Sequence, residues 1–185
     1  MTVIKRFLEQ SWLVMVSALA FGLLVAGVNA TLAPRIEANA REKKTAAIKE
    51  LLPEALQLET KTTDGVEYTI GTANGQVVGY AITAEGGGFA DVIRLVVAVG
   101  PKVEEIRGIA VLASNETPGF GDTIVTDWFR DQYIGAPAGS LEVIKTGDAS
   151  VKDAQIVAIT GATISSDAVT RIVNEAVATL RRVVQ

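Results

Sequence analysis

The chain is 185 residues long with a net charge of −4, and it contains neither cysteine nor histidine. Those absences rule out disulfides, cysteine-held iron–sulfur clusters, Cys/His zinc sites and catalysis by a serine– or cysteine–histidine pair. The dispersed basic residues speak against nucleic acid as a partner, and a 49% hydrophobic content with mean hydropathy +0.33 implies one ordinary domain plus a segment in lipid.

Lys5 and Arg6 precede an uncharged stretch from Gln10 to Pro34, with an apolar heart from Trp12 to Val28. A bilayer core needs about 20 mainly apolar residues, so one crossing is expected, with Trp12 at an interface. Val28-Asn29-Ala30 resembles a signal-peptide cleavage site, but the apolar run exceeds the roughly 7–15 residues of a signal peptide's central region, which favours an uncleaved anchor. Arg35, Arg41, Lys43 and Lys44 follow on the other side, so charge alone nearly balances the two orientations. Ala18, Gly22 and Ala26 form a stripe of small residues that either admits a neighbouring helix or reflects the usual composition of membrane helices. A lone span without charge cannot itself move an ion.

Pro34 suits the first turn of a second helix, running through Ile36, Ala40, Ala47, Ile48, Leu51 and Leu52 to stop near Pro53. Its charged residues, among them Glu42, Lys43, Lys44, Lys49 and Glu50, read as a solvated face. The expected layout is an N-terminal tail (1–10), an anchor (11–33), a linking amphipathic helix (34–60) and a folded domain (61–185).

Strand signals start at Glu67. Glu67–Thr72 and Gln76–Ile82 flank Asn74-Gly75, a hairpin turn. Gly86-Gly87-Gly88 permits close backbone approach to a ligand or is simply a mobile turn. Asp91–Val99 reads as a long buried strand and Val103–Leu112 as its antiparallel partner. The Asn115–Gly121 loop is rigidified by Pro118. Asp122–Tyr133 is expected to be a short helix whose Trp128, Phe129 and Tyr133 face the core. Leu141–Lys145 is a short strand.

A β-branched strand, Gln155–Ile159, leads into Thr160-Gly161-Ala162-Thr163, and a helix leads out with Val169, Ile172, Val173, Ala176, Val177 and Leu180 on one face. Ser166 or Asp167 is the expected N-cap. A threonine on a glycine turn at a helix start meets unpaired N–H groups and the positive end of the macrodipole, which suits a phosphate; the plain alternative is an ordinary strand-turn-helix junction. No Walker A sequence or dinucleotide fingerprint follows a strand.

Thr160-Gly161-Ala162-Thr163 resembles the Ser/Thr-Gly-Ala-Thr flavinylation motif of the FMN-binding domain family, shared by the Rnf complex G subunit and the C subunit of Na⁺-translocating NADH:quinone reductase. Asn115-Glu116-Thr117-Pro118-Gly119-Phe120-Gly121 is similar to the family's Glu-Thr-Pro-Gly-Leu-Gly, and Gly86-Gly87-Gly88-Phe89 to its glycine-rich loop. The family's usual aspartate three residues before the motif is Val157 in this chain, and Asp153 is no obvious substitute. The Rnf G subunit is the closer likeness.

The resemblance implies an α+β fold, a largely antiparallel sheet with packed helices behind one N-terminal transmembrane helix. It implies FMN joined through its phosphate to Thr163 by a separate flavin transferase. Thr160, Gly161, Ala162 and Ile164 would cradle that phosphate, Gly87, Gly88, Phe89, Thr117, Pro118 and Gly119 would face the ring or ribityl chain, and Glu116 would either accept a flavin or ribityl hydrogen bond or only stabilise the turn. It implies a single-pass protein of the cytoplasmic membrane, its domain extracytoplasmic, relaying electrons among the membrane and soluble subunits of an Rnf-type complex. With no clear acid or base in the chain, the borrowed cofactor supplies the chemistry. The alternatives are an anchored, noncatalytic binding or scaffold module holding flavin reversibly or not at all, and an anchored hydrolase using Glu116 with Asp122 or Asp91.

Overall fold

The strand β4, Val92–Val99, is apolar without a break from Leu95 to Val99 because both of its faces are covered there. Ile93, Leu95, Val97 and Val99 enter a core shared with α3 (Thr163–Val184), while Val96 and Ala98 pack with Ala47 and Ile48 near the end of α1 (Thr2–Leu51) and with Leu52 just after it. These positions come from a computed structural model, which describes the backbone of Thr2–Val184 and the side chains of Ser11–Val184. The expectations for Lys5 and Arg6 lie outside the described side chains.

The chain divides into two compact units between Lys43 and Lys44. In the first, the expected break at Pro34 does not occur, and Pro34 lies inside a single helix from Thr2 to Leu51. A proline's fixed φ is itself helical, so it removes one hydrogen bond without having to end the helix. Among the described residues this is one helix long and apolar enough to cross a membrane. Its most apolar 18-residue window has mean hydropathy 2.2, with none of it buried in the protein.

In the second unit a five-stranded antiparallel meander runs β1 (Gln57–Thr63), β2 (Val66–Ala73), β3 (Gln76–Gly87), β4 and β5 (Ile106–Ala113). The Asn74-Gly75 hairpin is present, both residues at positive φ. Strand β1 is a departure from the sequence reading, which placed no strand before Glu67. It is an edge strand, mostly exposed, and its Glu59 and Lys61 hide the apolar alternation that would mark it. Gly86 and Gly87 are also strand rather than loop, paired with Ile93 and Val92. Strand β5 starts later than read, because Val103 turns the chain at φ 55.

The segment expected to be one helix is instead three short turns: 3₁₀ at Gly121–Val125, α2 at Asp127–Arg130, and 3₁₀ at Asp131–Tyr133. Phe129 and Tyr133 are core residues, their rings edge-to-face at 5.6 Å, whereas Trp128 is 53% exposed. Strands β6 (Glu142–Ile144) and β7 (Gln155–Val157) form a separate parallel pair. The buried Gln132 fixes β7: its Nε2 donates to the Val157 carbonyl at 3.2 Å and its Oε1 accepts from the Val157 amide at 2.8 Å. Helix α3 then lays Val169, Ile172, Val173, Ala176, Val177 and Leu180 on the sheet, the face its periodicity marks.

Candidate cofactor cleft

Helix α3 begins at Thr163, three residues before the expected cap. Ser166 is already inside the helix, where its Oγ donates to the Ala162 carbonyl and accepts from the Ile159 amide, tying the helix start to the chain that leaves β7. The Ser166 amide also donates to Ala162, so the amides of Thr163, Ile164 and Ser165 precede the helical ladder. Among the described residues they have no acceptor in the protein. The turn before them needs Gly161 twice over: its φ is +81°, and a Cβ there would stand 2.8 Å from Cδ1 of Phe120. The Thr163 side chain is exposed, and its hydroxyl makes no hydrogen bond among the described residues.

Glu116 joins this helix start to two loops. It is only 4% exposed, yet four donors serve its carboxylate. The Ser165 hydroxyl at 2.5 Å and the Phe89 amide at 3.2 Å reach Oε2, while the amides of Ala90 and Asp91 reach Oε1 at 3.1 and 3.4 Å. Burial pushes its pKa up, but the bonds from Ser165 and the three amides outweigh it and hold the carboxyl below its ordinary range. Glycines leave room for the group: a Cβ on Gly88 would lie 2.3 Å from Oε1, and one on Gly121 2.9 Å from Oε2. Asp91, alongside, is also held below the usual carboxylate range, first by the Asn115 side-chain amide and then by the Val92 amide.

Above this knot lies an open cleft of about 500 Å³ lined by Phe89, Thr117, Phe120, Gly121, Gly161, Ala162, Thr163, Ile164 and Ser165. That volume is ordinary for a small cofactor. Three segments separated by more than 20 residues each thus converge, and of the residues expected around the cofactor, Phe89, Thr117, Gly161, Ala162, Thr163 and Ile164 line one cleft. Thr160, Pro118, Gly119, Gly87 and Gly88 are outside the lining, and Glu116 is beneath it. Phe120, Gly121 and Ser165 were not singled out. No local signal marks Ser165, whose partner is 49 residues away. No lysine or arginine lines the cleft, and among the described residues no cluster of acids suits a metal ion.

Spare amides at a helix start, opening on an apolar-walled cleft, define an α+β domain built to hold a phosphate-bearing cofactor. A family model described as the FMN-binding domain matches residues 88–178, which include all three converging segments. The chain is 32% identical over 174 residues to the G subunit of the ion-translocating oxidoreductase complex of Methanosarcina acetivorans, covering 89% of each protein. It is 33% identical to the G subunit of the Na⁺-translocating ferredoxin:NAD⁺ oxidoreductase complex of Acetobacterium woodii, covering 88% of this chain and 85% of that protein. The solved structure of Shewanella oneidensis NqrC shares the fold, with TM-score 0.55 at 21% identity over 66% of this chain and 65% of that one. The chain belongs to the FMN-binding domain family, among the G subunits of ion-translocating oxidoreductase complexes. That membership and the apolar helix α1 make it a membrane-anchored protein.

Proposed function

We propose that this chain carries FMN covalently on Thr163 and relays electrons within an Rnf-type complex that couples electron transfer between ferredoxin and NAD⁺ to ion movement. One observation carries the covalent reading. Thr163 offers a solvent-facing hydroxyl without a partner at a helix start whose three leading amides are also without acceptors, and no lysine or arginine lines the cleft. A phosphate there is stabilised by backbone dipoles alone, so lasting retention calls for a bond to Thr163 Oγ.

The residues present fit the group. Thr163, Ile164 and Ser165 would offer their amides to the phosphate, Phe89, Phe120 and Ile164 would give the ring apolar walls, and Thr117 would offer a hydroxyl. When bound, FMN supplies the electron-carrying chemistry, and the protein's part is to orient it and limit its access to water. The partners in this reading are the other subunits of the complex and, for maturation, a flavin transferase. Helix α1 spans the cytoplasmic membrane once, with the domain extracytoplasmic.

Intact and peptide mass spectrometry on protein coexpressed with a flavin transferase tests this. The expected result is an adduct of FMN less water on Thr163, absent in Thr163→Val. An unmodified Thr163 in protein from its native membrane would sink the covalent reading. Val157 favours a second reading, reversible flavin binding: it stands where the family usually has aspartate, buried near Ile144 and Gly147. Val157→Asp, with the same mass readout, separates the two: a gain of adduct over an unmodified parent supports reversible binding in the natural chain.

A further inference from the structure

We infer that Glu116 is a positioning residue: by bonding the Phe89 loop and Ser165 at once, its carboxylate sets the spacing of the two cleft walls without touching the cofactor. This rests on the FMN reading above. An ionised carboxylate has about four lone-pair sites, and four donors from the protein already fill them. The group is buried beneath the cleft rather than lining it, and Gly88 and Gly121 close over its two oxygens. Nothing is left for a flavin atom to bond.

The geometry also says what the clamp holds. One wall is the turn at Phe89, whose amide and the next two all point at Glu116. The other is the first turn of α3, where Ser165 follows Thr163 by two residues. Four donors and no acceptor face the carboxylate, so only the ionised form completes the network. Its fixed negative charge beneath the cleft opposes the gain of an electron above it. Glu116 therefore acts twice, through the spacing of the Phe89 and Ser165 walls and through its field.

The test uses the full-length protein in detergent, first prepared without a flavin transferase. Hydrogen exchange should show the amides of Phe89, Ala90 and Asp91 at least about tenfold less protected in Glu116→Gln than in the parent, with β4 and β5 unchanged. Unchanged protection at those three amides overturns the clamp, and this arm needs no FMN, so it stands apart from any failure of the FMN reading. The second arm uses flavin-loaded protein, where Glu116→Gln should raise the FMN midpoint potential and shift the visible spectrum. A parental spectrum and potential would overturn the positioning role and leave Glu116 merely structural. If Glu116→Gln does not fold, Ser165→Ala decides, because it keeps the carboxylate and all three loop bonds. It should shift the spectrum and potential while Ala90 and Asp91 stay protected, and parental values there overturn the proposal.

Discussion

The ring of Phe120 lies against Gly161, so close that a single added Cβ would stand 2.8 Å from its Cδ1. The loop that follows the sheet and the turn that starts α3 are thus fitted to each other at a point where only glycine serves. Gly161→Ala is expected to cost about 1–3 kcal/mol, combining a left-handed backbone with the clash. Denaturant unfolding checks this, and a midpoint equal to the parent's would show that the turn relaxes freely.

The pH dependence of Glu116 has a definite sign. Its folded pKa is depressed below the ordinary carboxyl value of 4.5, so its contribution is complete above that value and shrinks as pH falls towards the lower folded pKa. Stability measured from pH 6 downwards should decline more shallowly in Glu116→Gln than in the parent, below about pH 4.5. Equal slopes would mean that Asp91, the neighbouring depressed carboxyl, carries the acid sensitivity instead.

Gln132→Ala should cost about 2–3 kcal/mol, because it strips partners from a buried N–H and a buried carbonyl of Val157 together. Hydrogen exchange at the Val157 amide is the direct readout. Since β7 feeds the Thr160–Thr163 turn, FMN content should fall with it.

Thr163 is expected to behave in the opposite way. Exposed and unbonded, it tolerates Thr163→Val or Thr163→Ser within about 0.5 kcal/mol. The flavin adduct should vanish in the first and persist in the second, as read by mass. A large loss of stability in Thr163→Val would show a structural role for the hydroxyl instead.

Much of this arrangement is written in local sequence. The stripe Val169, Ile172, Val173, Ala176, Val177 and Leu180 marks the buried face of α3 because helical periodicity and burial coincide there. Asn74-Gly75 marks the hairpin because few residues accept positive φ in succession. Strand β1 escaped because an exposed edge strand needs no apolar alternation, and the helix expected from Asp122 is interrupted at Thr126, whose extended backbone (ψ 147°) separates the 3₁₀ turn before it from the short helix after it.

By itself, then, the sequence determined the chemistry available: no thiol or imidazole, one apolar helix of membrane length, and a threonine on a glycine turn at a helix start. Those are local properties, set by composition, periodicity and backbone preference over a few residues. Tertiary structure alone decided that Ser165 and Glu116 bond beneath the cleft, and that the Phe120 ring packs on Gly161. Such pairings depend on how the meander and α3 bring distant loops together, and a buried carboxylate finds its donors only once that packing exists.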